Sequence, residues 1–435
     1  MYLIGPSRSP DTRTHGDIAQ PVKMSRGGVV RRRCVVLEWS WGGLSGDAGA
    51  VSAVKHAGVH LAPLASRVAA EVAAPLADEV DRDARFPAEA FEALRADRLL
   101  SVLVPAELGG ADASVGEVAE MTRILAAACS STALIFATHQ VQVACLLRHG
   151  RTPALRAVLA EVAERQLLLS AATTEVGVDD DVASSICALS RADGRYRMQK
   201  RVPVIFYGVH ADAVLATCRR SPDSPPGDQA LVVCRPPGLV LEPSGDSDAL
   251  GFRGTCASGF RLEAEGDEAL ILPVPFSEIA SRTMLPVAHI LWSSAWLGIA
   301  TAAVERARHF LRDVAPASVV PATATQITEL SALHLQMAEL VRAMARRYDQ
   351  ICDDDDATGA MQFAIAMNNL QLSASRLVVD VVSRAMSICG MAGYSQDSPF
   401  SIGRLLRDAH GAALLVSNAR IITCNAQMLM VSREE

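Results

Sequence analysis

The chain has 435 residues, half of them hydrophobic, and is therefore long enough to bury large cores in two or three domains. Charged residues make up 20% of the sequence and the net charge is −7, a balance that excludes the basic surface of a nucleic-acid-binding protein. The ten cysteines form no C-x-x-C pair, and no run reaches the roughly 18 apolar residues of a membrane span. We expect a cytoplasmic protein with buried thiols, no metal site and no membrane contact.

Residues 1–50 differ in character from the rest of the chain. They mix proline, serine, glycine and arginine, including the run Arg31–Arg33, and show no sustained helical or strand period. We interpret them as a disordered N-terminal extension or as translation from an upstream start codon, with a poorly formed targeting peptide as the alternative. The fold is expected to begin near Val51.

Residues 51–166 have the pattern of a helical domain. Apolar residues recur at the four-residue spacing of one helix face at Val68, Val72, Leu76 and Val80. Pro87 begins a second helix, because proline is favoured at the first helical position. The nearly continuous apolar stretch from Met121 to Leu147 predicts buried helices.

Residues 167–281 predict a middle β domain. Short apolar or alternating runs lie at 167–171, 196–198, 202–207, 213–218 and 230–234. Turn sequences separate them, among them Asp193-Gly194, a strong hairpin signal. Such runs are typical of an antiparallel barrel or sheet. From residue 282 to 435 the pattern is helical again.

A glycine-bearing turn near the C-terminus carries the most specific motif. Gly390 and Gly393 belong to the sequence Gly-Met-Ala-Gly-Tyr, which precedes Arg407-Asp408-Ala409. This resembles the C-terminal signature of the acyl-CoA dehydrogenase family, a Gly-Gly-x-Gly-aromatic turn followed by Arg-Asp-Ala. Weaker family phrases occur in the same order at 104–110 and 251–255. The resemblance implies a mostly α fold with a central β domain: an N-terminal helical domain, a middle β-barrel or sheet and a C-terminal four-helix bundle.

The family's catalytic carboxylate is missing from this chain. Where most members have Glu-Gly-Thr after the Arg-Asp-Ala motif, this sequence has Val416, Ser417 and Asn418. A buried carboxylate of raised pKa suits removal of a proton beside a thioester carbonyl, and valine cannot accept a proton. At the family's alternative base position stands Ala288, followed by His289. We expect His289 or His410 as a replacement base, with a structural role as the alternative for each.

The resemblance also implies a flavin, FAD, in contact with the β domain. Thr174 opens the family's flavin-binding loop, but its Gly-Ser is replaced by Asp179 and Asp180, with Asp180 at a substrate-facing position. The alternative interpretation of these carboxylates is a solvated acidic turn. Val204 stands where the family has a stacking tryptophan, and Phe206 where it has a hydroxyl. The cofactor motifs are therefore degenerate.

The remaining contacts implied by the resemblance lie mostly in the C-terminal part. Expected cofactor contacts there are Arg308, Gly390, Gly393, Ser417 and Asn418. Expected substrate contacts beside Asp180 are Arg253 and Tyr394. Arg407 and Asp408 are expected to form a structural pair.

Three functions follow from this pattern. The preferred one is an FAD-dependent oxidoreductase acting on an acyl thioester carried by CoA or a carrier protein. The alternatives are a flavin-dependent monooxygenase of the same fold, and a non-catalytic or flavin-free subunit of a heteromeric dehydrogenase. The resemblance implies a homodimer or homotetramer, with a heterotetramer containing a homologue as the alternative.

Overall fold

The computed structural model describes residues 61–178, 182–245, 248–313 and 320–431. The predictions for residues 1–50 and for Asp180 lie outside these ranges. Of the expected domain boundaries, the change from helix to strand falls between Arg165 and Leu169, where the last N-terminal helix ends and the first strand begins.

From residue 61 onward, the N-terminal part that the structure describes contains six α-helices, joined by short turns. They are α1 (Leu61–Val68), α2 (Ala74–Arg82), α3 (Ala88–Ala96), α4 (Val115–Ala128), α5 (Ser130–His149) and α6 (Pro153–Arg165). A π-helical turn, Ala69–Ala73, makes α1 and α2 continuous. Ser114 and Glu117 form a capping box at the start of α4, which satisfies backbone donors that the helix leaves free. Nearly every residue of α5 is buried, as its apolar sequence predicts.

The described residues of the middle part form seven strands in two sheets. They are β1 (Leu169–Ala172), β2 (Ser190–Ala192), β3 (Arg195–Ile205), β4 (Ala213–Arg219), β5 (Gln229–Cys234), β6 (Leu239–Gly245) and β7 (Ser258–Asp267). One sheet has the order β1-β4-β5 and the other β2-β3-β7-β6. Asp193-Gly194 forms the predicted hairpin turn between β2 and β3, with positive φ at both residues. The expected antiparallel arrangement holds for the second sheet, whereas β1 and β4 pair in parallel.

Lys200 joins the two sheets from the inside. It lies on β3, and its buried Nζ donates to the carbonyl oxygens of Ala172 at 3.0 Å and Thr217 at 2.8 Å. A third bond, of 2.8 Å, reaches the Thr217 hydroxyl. Burial lowers the pKa of Lys200, and these acceptors offset part of the cost of burying the ammonium group.

The C-terminal part is a bundle of long helices with short ones at its ends. The elements are α7 (Phe276–Ile279), α8 (Leu285–Asp313), α9 (Val320–Ile351), α10 (Asp355–Gly359), α11 (Met361–Cys389), α12 (Met391–Tyr394), α13 (Gly403–Leu415) and α14 (Asn418–Val431). Side-chain contacts show the relative directions of the long helices. Between α8 and α9, the pairs Thr301–His334 and Arg308–Ser331 have residue numbers that increase on one helix and decrease on the other, so these helices are antiparallel. The pairs Tyr348–Phe363 and Glu329–Arg384 show the same for α9 and α11. Since α9 is antiparallel to both neighbours, α8 and α11 run parallel.

Three helical stretches are long and apolar enough, on average, to cross a membrane, although none contains an unbroken apolar run of that length. Two of them, α5 and the stretch 276–313, are buried inside the protein and form its core. The third, 403–431, is only 11% buried over its most apolar window. Its last helix, α14, therefore leaves an apolar surface uncovered by the described chain.

Candidate functional site

The structure brings Thr174, Val204 and Phe206 to one edge of the β domain. The chain after β1 lies along β3, where the backbone N–H of Val176 donates to the carbonyl of Arg201 at 2.9 Å. At the end of β3, Val204 is 42% exposed and Phe206 is half-buried. Thr174 is partly exposed, and its hydroxyl makes no hydrogen bond to another described residue. An uncovered apolar surface beside a free hydroxyl fits a planar ring with a polar edge, such as a flavin.

Glu175 supports the loop that follows Thr174. Its buried carboxylate accepts hydrogen bonds from the Ser185 hydroxyl at 2.6 Å, the Ile186 N–H at 3.0 Å and the Cys187 N–H at 2.8 Å. All three donors belong to the far side of the same loop. This carboxylate is therefore occupied in fixing the loop, and the family-like Thr-Glu phrase has a structural reason in this chain.

The turn at 390–394 requires both of its glycines. Gly390 has φ +55° and ψ −137°, a conformation that residues with a Cβ rarely adopt. A Cβ at Gly393 would lie 2.7 Å from the Cβ of Cys389. The turn projects Met391, 77% exposed, and Tyr394, 69% exposed, away from the described chain. Within the described residues, no hydrogen bond or ion pair joins this turn to Thr174, Val204 or Phe206.

The junction between α13 and α14 replaces the family's carboxylate-bearing segment. Val416 is half-buried in an extended conformation, with φ −123° and ψ 120°. Ser417 is exposed, and its hydroxyl accepts from the Arg420 N–H at 3.4 Å. Asn418 donates to the Ser375 hydroxyl on α11 at 3.0 Å. Of the three residues, Asn418 is held by the bundle, while Ser417 faces solvent.

The two histidine candidates occupy opposite environments. His410 is exposed on α13, directly after the Arg-Asp-Ala motif. His289 is 1% exposed, its Nδ1 lies 3.2 Å from the Met367 carbonyl oxygen, and its Nε2 has no partner among the described residues. Burial lowers the pKa of His289 to about 4, so its ring is neutral at pH 7. Ala288 beside it is also buried.

The two expected arginine contacts lie apart from the edge formed by Thr174, Val204 and Phe206. Arg253 donates through Nε to the Asp81 carbonyl at 2.8 Å and pairs with Asp248. It thus anchors the segment before β7 to α2. Arg308 is exposed on α8 and donates to the Ser331 hydroxyl of α9 at 3.2 Å.

Arg407 and Asp408 do not bond to each other as predicted. The Arg407 guanidinium makes a two-pronged ion pair with Asp81 of α2, one bond being 2.9 Å. The fully buried Asp408 carboxylate accepts from the Phe252 N–H at 2.6 Å and from the Ser130 hydroxyl. The reason is geometric: consecutive helical residues point in different directions, so each reaches a different neighbour. Sequence reasoning missed Asp81 and Ser130, which carry no motif, and it did not assign a contact to Phe252, although this residue lies in the family phrase at 251–255.

Two cavities occur elsewhere in the described structure. One, of about 420 Å³, adjoins the loop after β1 and is lined by Gly177, Val178, Ser184, Ser185, Ile186, Arg219 and Pro226. The other, of about 360 Å³, lies between α4, α8 and α9 and includes Arg123, Arg346 and Asp349. Within the described ranges, none of the predicted site residues lines either cavity.

Comparison with known proteins decides the family. Residues 60–166 match the family model "Acyl-CoA dehydrogenase, N-terminal domain", and residues 279–415 match "Acyl-CoA dehydrogenase, C-terminal domain". The chain belongs to the acyl-CoA dehydrogenase superfamily. The predicted fold, helices on either side of a central β domain, is confirmed.

Relatives within this superfamily differ in their reactions. Cyclohex-1-ene-1-carbonyl-CoA dehydrogenase of Syntrophus aciditrophicus is 26% identical over 77% of this chain and 80% of its own length. Amino sugar nitrososynthase DnmZ of Streptomyces peucetius is 28% identical over 86% of this chain and 93% of its own. Dibenzothiophene monooxygenase of Mycolicibacterium goodii is 26% identical over 72% of this chain and 81% of its own length.

Solved structures agree on the fold. FMN-bound TdsC from a Paenibacillus species superposes with a TM-score of 0.77 at 20% identity, over 86% of this chain and 98% of that one. KijD3 in complex with FMN and a dTDP-linked amino sugar superposes with a TM-score of 0.73 at 22% identity, over 87% of this chain and 97% of that one. At these identities the likeness shows the fold and leaves the reaction to the site.

Proposed function

We propose that the protein is a flavin-dependent oxidoreductase that activates oxygen, a monooxygenase, in preference to a thioester dehydrogenase. The observation that carries the proposal is the aliphatic Val416 at the position of the family's catalytic carboxylate, together with Ala288 at the alternative position. Removing a proton beside a thioester carbonyl needs a base, and members of this family carry that base at one of these two positions. Oxygenation has no such requirement.

The relatives support a flavin and include both kinds of reaction. A monooxygenase and a nitrososynthase stand beside a CoA dehydrogenase among them, and the TdsC and KijD3 structures contain FMN. We infer a flavin, either FMN or the FAD expected from the family resemblance. Reconstitution of the protein with FMN and with FAD distinguishes between the two cofactors.

The chain's own residues have defined tasks in this proposal. Val204 and Phe206 offer apolar surface to one face of the ring, and the Thr174 hydroxyl offers a hydrogen bond to its polar edge. Glu175, by fixing the following loop, keeps Thr174 in place. When bound and reduced by an external flavin reductase, the cofactor supplies the electrons for oxygen activation.

Thioester dehydrogenation with a relocated base is the second candidate. It rests on His289, whose Nε2 is unprotonated at pH 7 and has no partner among the described residues. A base of pKa about 4 in a closed environment is poorly matched to abstracting a weakly acidic proton near neutral pH. This candidate therefore ranks below oxygenation.

The decisive experiment is reduction of the flavin-reconstituted protein without oxygen. For a monooxygenase we expect acyl thioesters to leave the flavin absorbance unchanged, whereas a reductase with NADH bleaches it. Oxygen then restores the absorbance and gives hydrogen peroxide when no acceptor is present; with an added acceptor such as dibenzothiophene, after which one relative is named, one oxygen atom enters the acceptor and the other leaves as water. Bleaching by an acyl-CoA or an acyl carrier protein would establish the dehydrogenase instead. A colourless protein that binds neither FMN nor FAD would favour the flavin-free subunit.

Two substitutions sharpen this experiment. Val416→Glu places a carboxylate at the family's base position, and we expect it to create thioester-dependent bleaching that the parent lacks. Phe206→Ala removes apolar surface from the proposed ring site and should weaken flavin binding roughly tenfold. Phe400→Ala, a half-buried phenylalanine in the loop before α13, is the matched control and should leave flavin affinity unchanged.

A further inference from the structure

Three buried polar atoms on the packed helices α8 and α11 have no hydrogen-bond partner among the described residues. They are His289 Nε2, Ser293 Oγ and Gln371 Oε1, on side chains that are at most 1% exposed. Buried polar atoms without partners are uncommon, because each costs the free energy of its lost hydration. Three such atoms on two packed helices therefore suggest a shared hydrogen-bond partner.

The geometry of the two helices places these residues within about one helical turn of one another. The helices are parallel, and the His289 ring lies 3.2 Å from the Met367 carbonyl oxygen. Ser293 follows His289 by one turn on the same face of α8, and Gln371 follows Met367 by one turn on α11. Helical side chains lean toward the N-terminus of their helix. Gln371 thus leans back toward the Met367 carbonyl that His289 contacts, and Ser293 lies on the same face of α8 as His289.

The chemistry of the three atoms defines what can satisfy them. A carbonyl oxygen only accepts, so His289 Nδ1 must donate to Met367, which leaves Nε2 as an acceptor. Gln371 Nε2 donates to the Ala412 carbonyl of α13 at 3.4 Å, which leaves Oε1 as an acceptor as well. Two acceptors cannot satisfy each other, and the Ser293 hydroxyl has one hydrogen for both.

We propose that a single internal water molecule lies between α8 and α11, in what we call the seam. It donates to His289 Nε2 and Gln371 Oε1 and accepts from Ser293 Oγ. A water has two hydrogens to give and lone pairs to receive, and three protein partners are the usual number for a buried water. Through Gln371 and its bond to Ala412, the water links α8 and α11 to α13, the helix that ends at Val416. His289 is then a residue that positions the bundle, and its lone pair is not free to serve as a base.

A crystal structure of the parent protein that shows ordered water tests this directly. We expect one density peak at about 2.8 Å from each of the three atoms. An empty seam in a map that shows other buried waters would overturn the proposal. So would a map in which Ser293 Oγ bonds directly to His289 Nε2 with no peak between the helices.

A double-mutant cycle gives a second measure in solution. If one water joins the two side chains, His289→Phe and Gln371→Met remove the same interaction, and the double variant should lose less stability than the sum of the single variants. We expect a coupling of about fivefold in the unfolding equilibrium constant. The control pairs His289→Phe with Gln142→Met on α5, another buried glutamine with an unpaired oxygen, and should be additive. Additivity in both cycles would contradict the shared water.

Discussion

The Asp408 carboxylate on α13 accepts a hydrogen bond of 2.6 Å from the backbone N–H of Phe252, which lies just before β7. With the Ser130 hydroxyl of α5 as its second donor, this buried group joins the C-terminal bundle, the β domain and the N-terminal helices. The residue that the family motif marks is thus the centre of a junction between three parts of the fold.

Replacing Asp408 by alanine should destabilise the protein by about 3 kcal/mol, because two buried donors lose their acceptor at once. Urea unfolding followed by circular dichroism measures the difference. Asp248→Ala is the control, since Asp248 is a surface partner of Arg253 and its loss should cost less than about 1 kcal/mol. Equal losses for the two variants would contradict a special role of the junction.

Stability should fall as the pH is lowered from about 6.5 toward 4. Burial lowers the pKa of His139 and of His289 to about 4, so between these pH values the unfolded chain binds protons that the folded chain does not. For His139 the cause is visible: Nδ1 accepts from the Leu169 N–H at 3.0 Å and must stay unprotonated. Each histidine contributes roughly 3 kcal/mol to this loss.

Urea titrations at pH 7 and pH 4.5 check this dependence. His289→Phe should show a smaller difference between the two pH values than the parent, even though it is less stable at pH 7. A parent protein whose stability is flat across this interval would contradict the lowered pKa values of the two buried histidines.

Gly393→Ala should lower stability by about 1 to 3 kcal/mol, because its Cβ would meet the Cβ of Cys389 at 2.7 Å. Thermal unfolding measures the effect. Gly403→Ala is a matched control at the start of α13, where the nearest atom outside the helix is a serine hydroxyl 3.6 Å away. That variant should be neutral or slightly stabilising, since alanine favours the helix.

The uncovered apolar surface of α14 should be the contact between copies of this chain. The helix bonds to α11 through Asn425, which pairs with Asn368 and Asn369, whereas Ile422, Leu429 and Met430 are exposed. Leu429→Asp should therefore shift the protein toward the monomer in light scattering coupled to gel filtration. Gln427→Asp, at an exposed polar position of the same helix, should leave the mass unchanged. A parent that is already monomeric would exclude this assembly.

Local pattern was sufficient for the order of elements. The four-residue spacing in α1 and α2 and the alternation in β3 report which side of each element is buried, and Asp193-Gly194 dictates its own turn. The parallel pairing of β1 with β4 was not predictable in this way. Its partners, such as Leu169 and Ala213, are far apart in sequence, and no local period records which strand lies beside which.

In the candidate site, too, residues within a sequence motif were predictable, whereas contacts between distant parts of the chain were not. Thr174, Val204 and Phe206 were predicted from one family's pattern and lie on adjacent segments. Arg308 was predicted from the family's arginine segment, which reaches the cofactor of a neighbouring subunit; in the single chain it is exposed and bonds to Ser331 of α9, so its contact with a cofactor stays a prediction. The partners of Asp408 could not be foreseen, since a serine and a backbone amide are common everywhere in the sequence.

The π-helical turn between α1 and α2 explains how a strict four-residue repeat stays on one side of a helix. Twelve residues of regular helix would carry Val80 about 120° around the axis from Val68, yet both side chains are buried. The π-helical turn at Ala69–Ala73 compensates for this rotation, because it contains one residue more than a regular α-helical turn. Deletion of one alanine there should leave an ordinary helix with its inner side intact, whereas the same deletion one turn later would swing the Asp81 carboxylate away from Arg407.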